Sequence, residues 1–413
     1  MTPFELVAAL MTIVALAGWV NAKTFRLPHG VAMLLAGLLA ALALFLAHLL
    51  WPRFALVNWI SDIINHVDFV ATVTGYMLAF LLFAGAMQVD LGEMRRRWLS
   101  VGALATLGVA ASILIVGVGL WAIARALGIP LPLIWALVFG ALISPTDPVA
   151  VLATVRHVKI SRTLTAILQG EALFNDGVGI VAFTALVAVA TGAGDASPLS
   201  AVSTVFIEAV GGLALGMAMS WIVIRLMSAL DDFVVEVSMT IALAMGSYAL
   251  AQALHLSGAI AVVGAGMLLG GPRAKQAMGR ETEGYVMAFW TLVDEILNAL
   301  LFLLLGVEMI TVPFQAHQWG LLLAAIPLVV LSRFAVVWPW GAFYHFRASE
   351  KSPTLILGWG GLHGALSLAL ALTLPAGPER ALILQATYAV VAFSILVQGL
   401  TFTPLARWVE GKQ

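Results

Sequence analysis

Cysteine is absent from the 413 residues, which removes disulfides, thiolate metal sites and cysteine nucleophiles from consideration. Charge is scarce as well: 10% of the residues are Asp, Glu, Lys or Arg, against roughly a quarter in soluble domains. With a net charge of -1 there is no basic field for nucleic acid. No long polar linker, low-complexity tract or soluble domain interrupts the chain. The strict short alternation of a membrane β-barrel is missing too. What the chain does have is 62% hydrophobic residues, grouped in runs of about 20, long enough to cross a hydrocarbon core of roughly 30 Å as helices. The fold class is therefore an all-α polytopic membrane protein in a lipid bilayer. The first run, Phe4 to Val20, has no basic leader and no obvious cleavage site, and is expected to stay as a span.

Charges and Gly/Pro clusters punctuate about thirteen expected spans. They lie near residues 4–20, 29–50, 69–89, 98–124, 130–155, 164–190, 201–227, 233–254, 258–270, 284–310, 318–344, 353–374 and 381–406. Of the 20 Lys and Arg, Arg53, Arg125 and Arg380 fall in loops on one side and Arg333 falls inside a span. All the others fall on the opposite side or in the C-terminal tail. The basic side faces the cytoplasm, so the N-terminus is expected outside and the C-terminus inside an inner or plasma membrane.

The stretch Gly170 to Phe183, GEALFNDGVGIVAF, organises the rest. Asp176 stands 14 residues from both Arg162 and Ala190, or roughly 21 Å each way along a helix. An aspartate at that depth costs about 2.5 to 3.5 kcal/mol on insertion scales, so it is expected to be paired, solvated or used. Glu171 and Asn175 share a helix face, and Asp176 lies about 100° round from Asn175. The bland reading of Asp176 is a structural hydrogen bond to another span.

Two other spans carry breaks at comparable depth. Ser144-Pro145-Thr146-Asp147-Pro148 holds two prolines, each removing an N–H and crowding the carbonyl four residues back. Gly358-Trp359-Gly360-Gly361-Leu362-His363-Gly364 packs four glycines into one stretch, with His363 12 residues from both Lys351 and Pro375. Broken helices in corresponding places of two halves point to an inverted-repeat transporter with two crossed discontinuous helices and its site where they meet. Taken singly, each break is equally well a packing kink.

A monovalent cation such as Na⁺ wants several oxygen ligands, which carboxylate, amide, hydroxyl and freed carbonyl supply. Asp176 supplies charge, Asn175 positions it, and Thr146 with the opened backbone completes the shell. A proton and a cation then compete for one carboxylate, which is sufficient for exchange. Glu171 is a second buried acid, with His363 and Arg333 as candidate partners in a pair that stabilises a helix crossing. Asp147 is expected at the positive N-terminal end of a half-helix. Asp294, Glu295 and Asn298 are expected to line a cytoplasmic access funnel, and Glu308 to be solvated near the outer end. Asp231, Asp232 and Glu236 read as a solvated loop.

Four ordered motifs, SPTDPVAV at Ser144, GEALFNDGVGIV at Gly170, LFLLLGVE at Leu301 and GWGGLHGALSLALAL at Gly358, resemble the monovalent cation:proton antiporters, in their sodium/hydrogen exchanger branch. The similarity covers nearly the whole chain. It implies a homodimer whose scaffold bundle (residues 4–89 and 201–310) holds the interface, and whose core bundle (98–190 and 318–406) carries the ion in an elevator-like motion. It implies that Asp176 binds cation and proton with Asn175 as partner, that Thr146 and Asp147 form the unwound crossing, and that no cofactor is needed. The Asn-Asp pair is associated with electroneutral one-for-one exchange of Na⁺, Li⁺ or K⁺ for H⁺, in the service of pH homeostasis. The chain departs from the family at His363, where an arginine usually pairs with the acid matching Glu171, so a Glu171–His363 contact sensitive to pH is expected. Ala172 and Ala84 stand where ligating Ser and acidic residues are found in other members.

Two other classes remain for comparison. A channel or a membrane sensor would share these features without coupled exchange. An intramembrane aspartyl protease would need two apposed aspartates, for which Asp147 and Asp176 are the candidates.

Overall fold

Within hydrocarbon, a single apolar segment satisfies its own N–H and C=O groups only by coiling into a helix, and the long apolar runs of this chain do so. The computed structural model describes residues 3–27, 29–50, 77–89, 91–147, 161–192, 198–230, 232–308, 316–348 and 352–410. Helices α1 (Pro3–Val20), α2 (His29–Leu50), α3 (Leu78–Met87) and the short α4 (Leu91–Arg96) come first. Helix α5 (Trp98–Ala103) runs through a π-turn at Leu104–Gly108 into α6 (Val109–Ala126), and α7 (Leu133–Ile143) follows. Next are α8 (Arg162–Thr191), α9 (Pro198–Met227), α10 (Phe233–Ala253), α11 (Gly258–Leu269) and α12 (Pro272–Glu308). The chain continues through α13 (Trp319–Ala348), α14 (Pro353–Trp359), α15 (Ala365–Leu372), α16 (Pro378–Phe393) and α17 (Gly399–Glu410). Among the described residues eight helices are long and apolar enough to cross a membrane, and four shorter apolar helices accompany them.

Helix ends follow local chemistry. Ser161 caps α8 by accepting from the Leu164 N–H at 3.2 Å, and α8 stops at Gly192, whose φ of +68° suits glycine. Asp232 caps α10 by accepting from the Val234 and Val235 N–H groups. Glu236, expected in a solvated loop, is instead fully buried in the first turn of α10, where the positive helix end favours a negative charge. Asp231 and the Glu308 side chain lie outside the described residues.

Both expected breaks are present. Helix α7 ends at Ile143 and the backbone is non-helical from Ser144 to Asp147; its expected continuation to Val155 lies outside the described residues. The glycine-rich span is split into α14 and α15 by the non-helical stretch 360–364. The two breaks touch: the Asp147 N–H donates to the Leu362 carbonyl at 2.6 Å.

Helices α3, α9, α10, α11 and α12 pack on one another, with α2 along α12. Helices α6, α7, α13, α14, α15 and α16 pack on one another in turn, and α8 lies against α7 on one flank and α9 and α11 on the other. Trp290 fixes α12. It is almost fully buried, its Nε1–H donates to Thr240 Oγ1 at 2.8 Å, and its ring lies 4.5 Å from that of Phe83. That contact ties α12 to α3 and α10 one turn before Asp294.

Candidate functional site

The crossing of the broken helices is built by side chains that replace the hydrogen bonds each break removes. Asn175 of α8 clamps Thr146: its Nδ2 donates to Thr146 Oγ1 at 2.8 Å and its Oδ1 accepts from the Thr146 N–H at 3.4 Å. The Pro145 carbonyl, without a helical donor, lies 3.2 Å from His363 Nδ1. The His363 N–H donates to Ser394 Oγ at 2.8 Å, so the π-turn before α17 also holds the second break. The Asp147 carboxylate lies over Gly364, the residue that begins α15, where four N–H groups lack helical acceptors.

Gly364 is required for space. A methyl group there would stand 2.7 Å from Asp147 Cβ and 2.8 Å from its Cγ. Gly364→Ala is expected to push Asp147 out of the crossing and to cost about 1–3 kcal/mol of stability, as overpacking does. Comparison of thermal midpoints in detergent with transport rates in vesicles checks both effects; an unaltered rate would mean that Asp147 is not needed where it stands.

Glu171 and Arg333 are joined. Arg333 Nη2 donates to Glu171 Oε2 at 2.8 Å and Nη1 engages Oε1, with the side chains burying the pair. Arg333 Nε and Nη2 also donate to the Leu357 carbonyl at 3.3 and 3.2 Å. That carbonyl belongs to the last turn of α14, where carbonyls have no helical partner. The guanidinium therefore stitches α8 and α13 to the broken helix. The Glu171–His363 contact expected from the sequence is not made. Arg333 occupies both carboxylate oxygens, and the His363 ring is turned to Pro145. A void of about 10 Å³, bordered by Ser144, Glu171, Ser332, Arg333 and His363, lies at this junction.

Asp176 is different. It is 9% exposed, and among the described residues no donor or basic group engages its carboxylate. It faces a cavity of about 70 Å³ lined by Pro145, Thr146 and Asp147 of one break, Gly364 and Ser367 beside the other, and Asp294 and Asn298 of α12. Leu78, Leu82, Leu173 and Leu301 are among its apolar walls. Among its lining residues there is no Lys, Arg or His. Among the described residues no three His, Asp or Glu side chains converge as a resident metal site would require. Carboxylate, hydroxyl, amide and carbonyl oxygens around a small cavity suit a monovalent cation.

The structure thus brings Asp176, Thr146 and Asp147 to one cavity, with Asn175 pinned behind Thr146. It sets Glu171 with Arg333 and leaves His363 to the broken backbone. Neither Ala84 nor Ala172 is among the residues that line the cavity. Sequence reasoning missed Ser367 and Ser394, single hydroxyls in apolar runs whose spacing carries no signal of a crossing.

A model of the sodium/hydrogen exchanger, transmembrane family matches residues 10–408. The chain is 39% identical over 419 residues to the Na(+)/H(+) antiporter NhaP of Pseudomonas aeruginosa, covering 99% of this chain and 97% of that one. It is 34% identical over 409 residues to the Na(+)/H(+) antiporter NhaH of Halobacillus aidingensis, covering 97% of this chain and 96% of that one. In fold it is similar to the sodium proton antiporter MjNhaP1 from Methanocaldococcus jannaschii at pH 8, with a TM-score of 0.77, 19% identity and full coverage of both chains.

Proposed function

This chain belongs to the sodium/hydrogen exchanger family, and on that premise we propose that Asp176 is the group on which Na⁺ and H⁺ compete. The protein is a multi-pass membrane transporter that exchanges sodium for protons. The observation that supports the role of Asp176 is its buried carboxylate, facing a cavity at the crossing of two broken helices with no counter-charge among the described residues. Such a charge is tolerated in a membrane only when something neutralises it, and here the neutralising species is either a proton or a cation from solution. Thr146 and the opened backbone beside it complete the shell, Asn175 holds Thr146 in place, and Asp147 steadies the start of α15. The Glu171–Arg333 pair keeps the crossing in register.

The cycle follows from that competition. A proton on Asp176 displaces the cation, the helices around α7 and α15 shift against those around α3 and α12, and the cavity opens to the other side. The exchange is secondary active and electroneutral, one cation for one proton, with the N-terminus outside, the C-terminus in the cytoplasm and two chains in the working unit. The basic side of the sequence supports the orientation; the resemblance supports the dimer.

Proteoliposomes with an internal pH dye test the reading. Addition of Na⁺ or Li⁺ is expected to drive protons in the opposite direction, at a rate that does not change when the membrane potential is clamped. Carrying one net charge per cycle would instead couple about 2.3 kcal/mol per 100 mV to transport. A rate that tracks the potential would overturn electroneutrality; cation flux without proton movement would favour a channel.

A further inference from the structure

The cavity has a second acidic wall that the exchange mechanism above does not use. Asp294 and Asn298 are four residues apart, on one face of α12, and both line the cavity opposite the broken helices. Asp294 is 6% exposed and, like Asp176, has no basic partner among the described residues. Its Oδ1 accepts from Asn298 Nδ2 at 2.9 Å, and the same amide donates to the Asp294 carbonyl at 3.0 Å. Gln88 of the segment after α3 bonds to it as well. Both protons of the Asn298 amide are thereby committed to Asp294, which leaves Asn298 Oδ1 as a free acceptor among the described residues. Trp290, held between α3 and α10 one turn earlier, anchors this part of α12 to those helices.

Two buried carboxylates without a basic partner among the described residues, both lining a cavity with no Lys, Arg or His among its described lining residues, make that cavity a place for positive charge. Asp176 stands on α8 and Asp294 on α12, so the two carboxylates are taken as separate stations. We propose that Asp294 with Asn298 Oδ1 is a second binding station for the transported monovalent cation, which receives the ion on the stationary wall and passes it to Asp176. This rests on the reading of Asp176 as the carrier. Because Asp294 does not travel with Asp176, it leaves the exchange stoichiometry unaltered and sets how well the ion is captured.

The test is the Na⁺ dependence of proton flux in proteoliposomes for the full chain and for Asp294→Asn, Asp294→Glu and Asn298→Ala. Asp294→Asn is expected to raise the apparent KM for Na⁺ about 10-fold, with a maximal rate within about twofold of the unaltered protein, since a charged contact is lost at capture only. Asp294→Glu is expected to recover most of the affinity, and Asn298→Ala to raise KM about threefold. An unchanged KM in Asp294→Asn would overturn the inference. So would a collapse of the maximal rate in both Asp294 variants at unchanged thermal midpoint, which would make the residue part of the conformational step. If Asp294→Asn does not fold, Asn298→Ala decides, and an unchanged KM there overturns the proposal. Absence of Na⁺-driven flux in the unaltered protein would instead strike the reading of the exchanger itself.

Discussion

Asp176→Asn is expected to abolish Na⁺-driven proton flux, reducing it to the leak of empty vesicles, while leaving the protein folded. Asparagine keeps the size and one oxygen but neither carries charge nor releases a proton. Attraction between unit charges about 4 Å apart at an effective dielectric of 20 is roughly 4 kcal/mol, so cation affinity falls by close to three powers of ten. Coupling falls further, because no proton is left to exchange. The unusual part of the expectation concerns stability. Most substitutions at buried sites destabilise, but here the native carboxylate has no donor or counter-ion among the described residues, and neutralising it removes a desolvation penalty. The thermal midpoint in detergent is expected to hold or rise as transport disappears. Flux that persists in Asp176→Asn would mean that another group carries the ion; a sharp fall in midpoint would mean that the carboxylate is a structural partner after all.

Arg333→Met is expected to produce the opposite pattern, a structural failure at a residue outside the ion cavity. Removing the guanidinium leaves Glu171, only 2% exposed, as an unpaired buried acid and strips both donors from the Leu357 carbonyl. Breaking a buried pair by removing one partner costs about 3–5 kcal/mol, a large share of the roughly 5–15 kcal/mol that holds a native domain together. Intrinsic tryptophan fluorescence during a thermal ramp reads this directly. Adding Glu171→Leu to Arg333→Met is expected to restore most of the loss, since an apolar pair of similar bulk replaces a buried ion pair at little or no cost. What remains is the orphaned Leu357 carbonyl, worth about 1–3 kcal/mol. If the single and double variants melt alike, the carboxylate charge is not what Arg333 balances.

The Glu171–Arg333 pair also shows how a departure from a motif is resolved. The resemblance implies an arginine at the position of His363, pairing with Glu171. In this chain the guanidinium comes from α13, and His363 is left to satisfy the Pro145 carbonyl. A lone arginine inside a span was visible in the sequence as a charge needing an acid. Which of two candidates served Glu171 was not visible, because α8, α13 and the α14–α15 break meet only after packing. The same limit applies to Glu236. Its neighbourhood of acids reads as a loop, yet the cap at Asp232 starts a helix whose first turn buries it.

The sequence alone determined the class and the two breaks, and singled out the buried acid to which we assign the exchange. These rest on composition, on the missing N–H of proline, on glycine clusters and on the depth of one aspartate, all properties of a single strand of chain. Tertiary structure alone decided who faces whom. It set the Asn175 amide on Thr146, gave Glu171 to Arg333, and put Asp294 of α12 on the wall of a cavity that Asp176 faces. Those outcomes depend on how helices far apart in the chain rotate about their axes to bury apolar faces such as Trp290 against Phe83. Span order and spacing do not encode that rotation.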